Sequence, residues 1–388
     1  MTIAYDIRNL LNLRAVKEAN NWYWSDFISE EQLTAIKLNY PCNFYHPNLA
    51  IRFLLFIAAS IAISGVNGLF FVFIVEMAEP AQGALALIAG GAAIFLAQKV
   101  LVDTNHHYRS GVVEAVVYFA IGYLVGGIAL LTDANIHITL IASVAVLAFV
   151  SIRFLDLICT FLGVFVLAGF IFYEFYNLGG IFQQIIPFAI MGSFTIIYLI
   201  AKKARKSQAN ALWADNLMLV ELLSILLIYT GGNYFVVREC SVLLLNLSIE
   251  PGGDIPFAFI FYALTVLIPL VLIFRGIQLR NLNMARLGVV ALVLSALTIR
   301  HYYSIAPPEI ALTLAGILVL GITGYLFNYL KVPRNGYTRD KLLQGSGLGT
   351  NAMGFVVSQT MGGNVSKPDE SFKGSGGSFG GGGASGDF

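Results

Sequence analysis

Charge is what this sequence has least of. Asp, Glu, Lys and Arg make up 12% of its 388 residues, about half the share of roughly 25% found in soluble domains. The formal net charge is +1 and no basic face recurs, which argues against a nucleic-acid partner. Cysteine is scarce too. Cys42, Cys159 and Cys240 have no paired spacing, which excludes a disulfide framework and leaves no zinc or redox motif. No Walker loop, Ser/His/Asp set or HExxH helix is present, so the sequence reads as no enzyme and carries no cofactor fingerprint. The opening stretch, MTIAYDIRNLLNLRAVKEANNW, mixes charges with apolar residues. It lacks the continuous apolar region of a cleavable signal peptide.

What the chain has instead is apolar length. Apolar residues make up 57% of it, with a mean hydropathy of +0.77. Ten stretches can span a hydrocarbon core of roughly 30 Å: 53–75, 81–98, 111–131, 136–152, 156–174, 184–201, 212–230, 255–274, 285–300 and 308–330. The expected fold is an all-α, polytopic transmembrane bundle. The stretch 136–173 would be about 57 Å long as one helix, nearly twice the core thickness. It must therefore turn, and Arg153-Phe154-Leu155-Asp156 is the polar place to do so.

Basic residues set the orientation. With ten crossings, all of the 23 Lys and Arg residues except Arg238 and Arg300 fall on one side. By the positive-inside rule that side is cytosolic and holds both termini. Three regions follow: a cytosolic helical cap (1–52), the transmembrane domain (53–330), and a basic segment with a Gly/Ser-rich tail (331–388). Within the cap, Ser29-Glu30-Glu31-Gln32 fits a capping box. Apolar residues at helical spacing, Ile7, Leu10, Leu11 and Leu13, leave two readings open: a helix lying on the membrane surface, or a hairpin packed on the loops below it. The tail, ending GSGGSFGGGGASGDF, cannot bury enough apolar surface to offset its ordering entropy, so disorder is expected.

The order ISEEQL (28–33), a tyrosine, and a first span rich in Ile, Ala and Gly resembles the uncharacterised bacterial multi-pass membrane proteins with a short cytosolic IS-x-EQ helix before the first span. Arg300-His301-Tyr302-Tyr303 is similar to an aromatic-rich motif near the end of such chains. The resemblance covers the architecture and short motifs. It implies the bacterial inner membrane and carries no catalytic residues across.

Ionisable residues inside a membrane are functional candidates. Glu114, Asp215, Glu174 and Glu309 lie near span ends, where they can snorkel to water. Glu221 follows Leu212 by about 13–14 Å of helix, near the midplane, with no Lys or Arg assigned to that depth. Desolvation would keep such a lone carboxyl protonated and donating to Thr265, Tyr262, Ser295, Tyr118 or Tyr123. It is either a proton- or cation-binding site with Thr265 and Tyr262, or a helix–helix hydrogen bond. Arg300, His301, Tyr302 and Tyr303 read as an aromatic belt with a basic anchor, or as an outer entrance. His106-His107 reads as a wet loop. Gly122 and Gly126 form a GxxxG face, and Gly90 and Gly91 give span two a small-residue face for helix packing. The loop 231–254 is the largest outer one, with an apolar core at Val242–Leu245 too short to span.

Two functions remain. One is a small-solute or ion-coupled transporter, its ten spans dividing into inverted sets of five. The other is a non-enzymatic scaffold or sensor whose cap and tail recruit partners. The implied partners are the lipid bilayer and an unknown small solute or membrane protein.

Overall fold

The computed structural model describes residues 3–245, 253–279, 281–302 and isolated positions as far as 331. The chain is an all-helical membrane protein with a small helical cap. Among the described residues, nine helices are long and apolar enough to cross a bilayer. The tenth expected span and the Gly-rich tail lie, but for those isolated positions, outside the described residues.

The cap is a packed hairpin of α1 (Ile7–Trp24) and α2 (Glu30–Asn39). Asp6 caps α1 by accepting from the Arg8 and Asn9 amides. Ser29 and Gln32 form the expected capping box, at 3.2 and 2.9 Å. Leu10, Ala19 and Leu33 are buried, and Arg14 donates to the carbonyls of Ala211 and Leu212. The cap thus rests on the loops beneath it.

The crossing helices are α3 (Leu49–Ile74), α4 (Glu79–Leu96, continued by a π-helical segment Ala97–Thr104), α5 (Val112–Leu131), α6 (Ile136–Phe154), α7 (Leu157–Leu178), α9 (Ile186–Arg205), α10 (Ala214–Gly232), α12 (Ala258–Gln278) and α13 (Leu282–Tyr302). Short helices α8 (Ile181–Gln184) and α11 (Tyr234–Leu243) lie at the opposite end from the cap. The turn at 153–156 forms without Gly or Pro. Leu155 takes a left-handed conformation (φ 53°) and Asp156 caps α7 through the Cys159 amide at 2.7 Å.

Packing is pairwise, α4 on α5, α6 on α7, α9 on α10 and α12 on α13, with α7 bridging to α10. α5 and α10 carry much of the buried surface. Counted along the described crossings they are the third and the seventh. Close approach of α4 to α5 requires glycine: a Cβ at Gly83 would sit 2.9 Å from the Gly127 carbonyl, and one at Gly127 would sit 2.8 Å from the Gly83 carbonyl. Gly90 packs against Leu124 as expected of a packing glycine. Gly91, Gly122 and Gly126 do not fit that expectation. A Cβ on any of them meets nothing within 4 Å, because the contact runs through Gly83, Gly90 and Gly127, rotated away from the GxxxG face.

Candidate functional site

Glu221 is not the lone midplane carboxyl expected from the sequence. It is 5% exposed and accepts from Arg205 Nε at 2.6 Å and Nη2 at 3.1 Å. Two features bring them together. A 3₁₀ stretch (Gln208–Trp213) precedes α10, so Glu221 lies seven residues, about 10 Å, inside that helix. Arg205, the last residue of α9, bends back along the hairpin and keeps its guanidinium partly exposed. The ion pair belongs to the cap-side half of the bundle and touches neither Thr265 nor Tyr262.

Thr265 and Tyr262 instead join the residues of the expected outer entrance. The junction is made by the Gly231-Gly232-Asn233 break that ends α10. Gly232 fits against Ile268, where a Cβ would sit 2.5 Å from Cδ1. Asn233 then caps α11 through the Val236 amide. The first residue of α11, Tyr234, donates its N–H to Thr265 Oγ1 at 2.9 Å. Its ring stacks on Tyr262 at 4.0 Å and meets Tyr302 edge-on at 5.0 Å. Its hydroxyl donates to Asp254 at 2.6 Å. Burial, then this bond to Asp254, pushes the Tyr234 phenol above its usual pKa. The Arg238 guanidinium lies 4.9 Å over the Tyr302 ring, and Tyr302 donates to Glu239 at 3.0 Å. His301 packs on Phe235 and Tyr302. Arg300 is exposed at the rim, and Tyr303 lies outside the described residues.

A polar thread runs inward from this aromatic vault. Asn233 donates to Tyr229 Oη at 2.8 Å and to Thr298 Oγ1 at 3.2 Å. Tyr229 Oη donates to the Ala291 carbonyl at 2.9 Å and lies 3.1 Å from Ser295 Oγ. Ser295 Oγ reaches the Thr265 carbonyl at 2.5 Å. Pro269 explains that last contact. It stands inside α12 and has no N–H, so the carbonyl four residues earlier, that of Thr265, loses its helical donor. Ser295 supplies the replacement, as hydroxyls do for broken membrane helices. Tyr229, Asn233, Tyr234, Arg238, Glu239 and Asp254 were not expected from the sequence to be site residues. Gly-Gly-Asn at the end of a span and a proline four residues after a threonine were the available signals.

A second polar cluster lies under the cap. Glu114, expected to snorkel, is buried; it accepts from Arg52 at 2.7 Å and from the Gly111 amide at 2.7 Å. Tyr118 donates to Asp156 at 3.0 Å. Arg109, Glu114 and Asp156 line a cavity of about 10 Å³ together with Tyr5 and Phe154, room for about one water. Asp215 is exposed. Glu174, half-exposed at the far end, lies 2.6 Å from His137. Glu309 lies outside the described residues.

No family model, curated protein or solved structure matches the chain.

Proposed function

We propose that this protein is a non-enzymatic carrier of a small solute, seated in the bacterial inner membrane with its cap in the cytosol and the vault of Tyr234, Tyr262 and Tyr302 as its outer entrance. The orientation rests on the basic residues: counted along alternating crossings, Arg238 and Arg300 are the exceptions to a cap-side distribution. The observation that carries the function is the polar thread through Tyr229, Asn233, Thr265, Ser295 and Thr298. It joins three helices at a depth where unsatisfied polar groups are costly. It also coincides with two helix irregularities, the break at Gly231–Asn233 and Pro269, and discontinuous helices of this kind form solute sites in secondary carriers. The rings, carboxylates and guanidinium of the vault suit a small polar or charged organic solute. Arg205 neutralises Glu221, so the coupling role first assigned to that carboxyl passes to the thread.

The test is uptake by the full chain reconstituted in liposomes, using labelled amino acids, amines and sugars with and without a proton gradient. Accumulation of one class, lost in Asn233→Ala with the fold intact, supports the carrier. Uptake equal to that of empty liposomes for every class opposes it.

One observation favours the second reading, a membrane protein that recruits a partner. None of the residues of α3 is buried, and α3 packs mainly on α5. That leaves a long apolar face, including Phe70, Phe71 and Phe73, for lipid or for another helix.

A further inference from the structure

The segment before α1 does something a solvated leader would not. The Ala4 amide donates to the Arg153 carbonyl at 2.9 Å, at the α6–α7 corner. Tyr5 is 5% exposed and makes edge-on ring contacts with Phe44, Tyr108 and Phe154 at 6.1, 4.9 and 6.3 Å. Beneath it lies the water-sized cavity lined by Arg109, Glu114 and Asp156. An aromatic ring therefore closes a small cavity in which Arg109, Glu114 and Asp156 stand beside Val113, Val117, Phe154 and Leu155.

Arg109 is the charged lining group short of partners. Arg109 carries five N–H donors, yet the hydrogen bond found for it is a long one, 3.4 Å to the Leu155 carbonyl. Nearby, Ser110 Oγ and His107 Nδ1 are buried without a hydrogen-bond partner. Groups of this kind cost free energy when dry. From Asp156 a hydrogen-bond network leads inward, first to Tyr118 and then through the Asn216–Thr160–Ser151 bonds, which link α10, α7 and α6. Cys159, 1% exposed, packs in the same cluster as Tyr5.

The handle of this closure is the cap. Asp6 ends the segment by capping α1. Farther along α1, Arg14 grips the carbonyls of Ala211 and Leu212, and Asn12 donates to the Pro41 carbonyl at 2.7 Å. Only Asp6 separates Tyr5 from α1, so a shift of α1 against the Gln208–Trp213 stretch is transmitted to Tyr5.

We infer that residues 3–6 are a tethered plug: Tyr5 seals the cavity between the start of α5 and the α6–α7 corner, and movement of α1 withdraws it. The plug is a property of the cap and does not rest on the carrier reading.

The test uses Cys159 as the reporter in the full chain, with Cys42→Ser and Cys240→Ser, purified in nanodiscs. The reaction rate with N-ethylmaleimide is compared for Tyr5, Tyr5→Phe and Tyr5→Ala. A second buried thiol, from Ala168→Cys in a parallel Cys159→Ser chain, sits in the apolar cluster of Val164, Phe194 and Leu223 and reports unfolding of the bundle away from the cap. The plug predicts at least tenfold faster Cys159 modification in Tyr5→Ala, a slow rate retained in Tyr5→Phe, and an unreactive Ala168→Cys thiol in all three backgrounds. An unchanged Cys159 rate in Tyr5→Ala overturns the proposal. So does faster modification of both thiols, which would make Tyr5 a general structural residue.

Discussion

Ser295 Oγ donates to the carbonyl of Thr265 at 2.5 Å, the carbonyl that Pro269 leaves without its helical partner. The hydroxyl on α13 thus completes the hydrogen bonding of α12. Ser295→Ala should cost about 1 kcal/mol, in the range of membrane hydrogen bonds. In a Pro269→Ala background the helix regains its own donor, and the cost of Ser295→Ala should fall to what its contact with Tyr229 contributes. Unfolding of the four proteins in a double-mutant cycle measures the coupling.

The Arg205–Glu221 pair yields the opposite kind of coupling. Arg205→Met strands a buried carboxylate. Removing one partner of a buried pair costs about 3–5 kcal/mol, and solvent at the Arg205 end reduces this to about 1–3 kcal/mol. Arg205→Met with Glu221→Met should be more stable than Arg205→Met alone. Thermal unfolding in detergent ranks the variants. On the carrier reading Glu221→Gln should leave uptake in place.

Glycines divide sharply. Gly127→Ala pushes a methyl into the Gly83 carbonyl, and overpacking of this kind costs about 1–3 kcal/mol. Gly111→Ala should be worse, because its Cβ would lie 2.1 Å from the Arg52 carbonyl and its φ is +92°. Gly122→Ala and Gly126→Ala should be near neutral or slightly stabilising. Expression and thermal midpoints of the four variants check the order.

His107 supplies a pH dependence. Burial holds its pKa below the ordinary 6.5, so the folded chain binds fewer protons there than the unfolded chain. Its contribution to stability is present above pH 6.5 and is lost as pH falls below that value. The thermal midpoint should fall less between pH 7 and 5 in His107→Gln than in the parent chain.

Much of the fold was legible because its cause is local. Hydropathy and length located each of the nine described crossings to within a few residues, and Ser29 and Gln32 announced their capping box. The corner at Leu155 was placed by the length limit of a single helix, although its left-handed residue leaves no mark in the sequence. The site was legible only in pieces. Thr265, Tyr262 and Tyr302 were singled out for separate reasons, but their meeting at Tyr234 depends on a helix break that redirects the chain. Glu221 was misread because its partner comes from the adjacent helix end: hydropathy fixes where a span lies, not how far a long side chain folds back. The Gly122–Gly126 face failed for a related reason. A small-residue spacing permits close packing, and the rotation of the helix decides whether it is used.

If the protein is a carrier entered through the vault, the thread behind it opens to water from the α11 side. The most direct measurement is modification of Thr298→Cys, in a chain otherwise free of cysteine, by a charged, membrane-impermeant thiol reagent added on that side. Phe235→Cys on exposed α11 and Leu292→Cys on the apolar surface of α13 serve as the reactive and inert references. Thr298→Cys should react, more slowly than Phe235→Cys but well above Leu292→Cys. A Thr298→Cys as inert as Leu292→Cys, with Phe235→Cys fully labelled, would contradict it and leave the thread as a dry bond between helices.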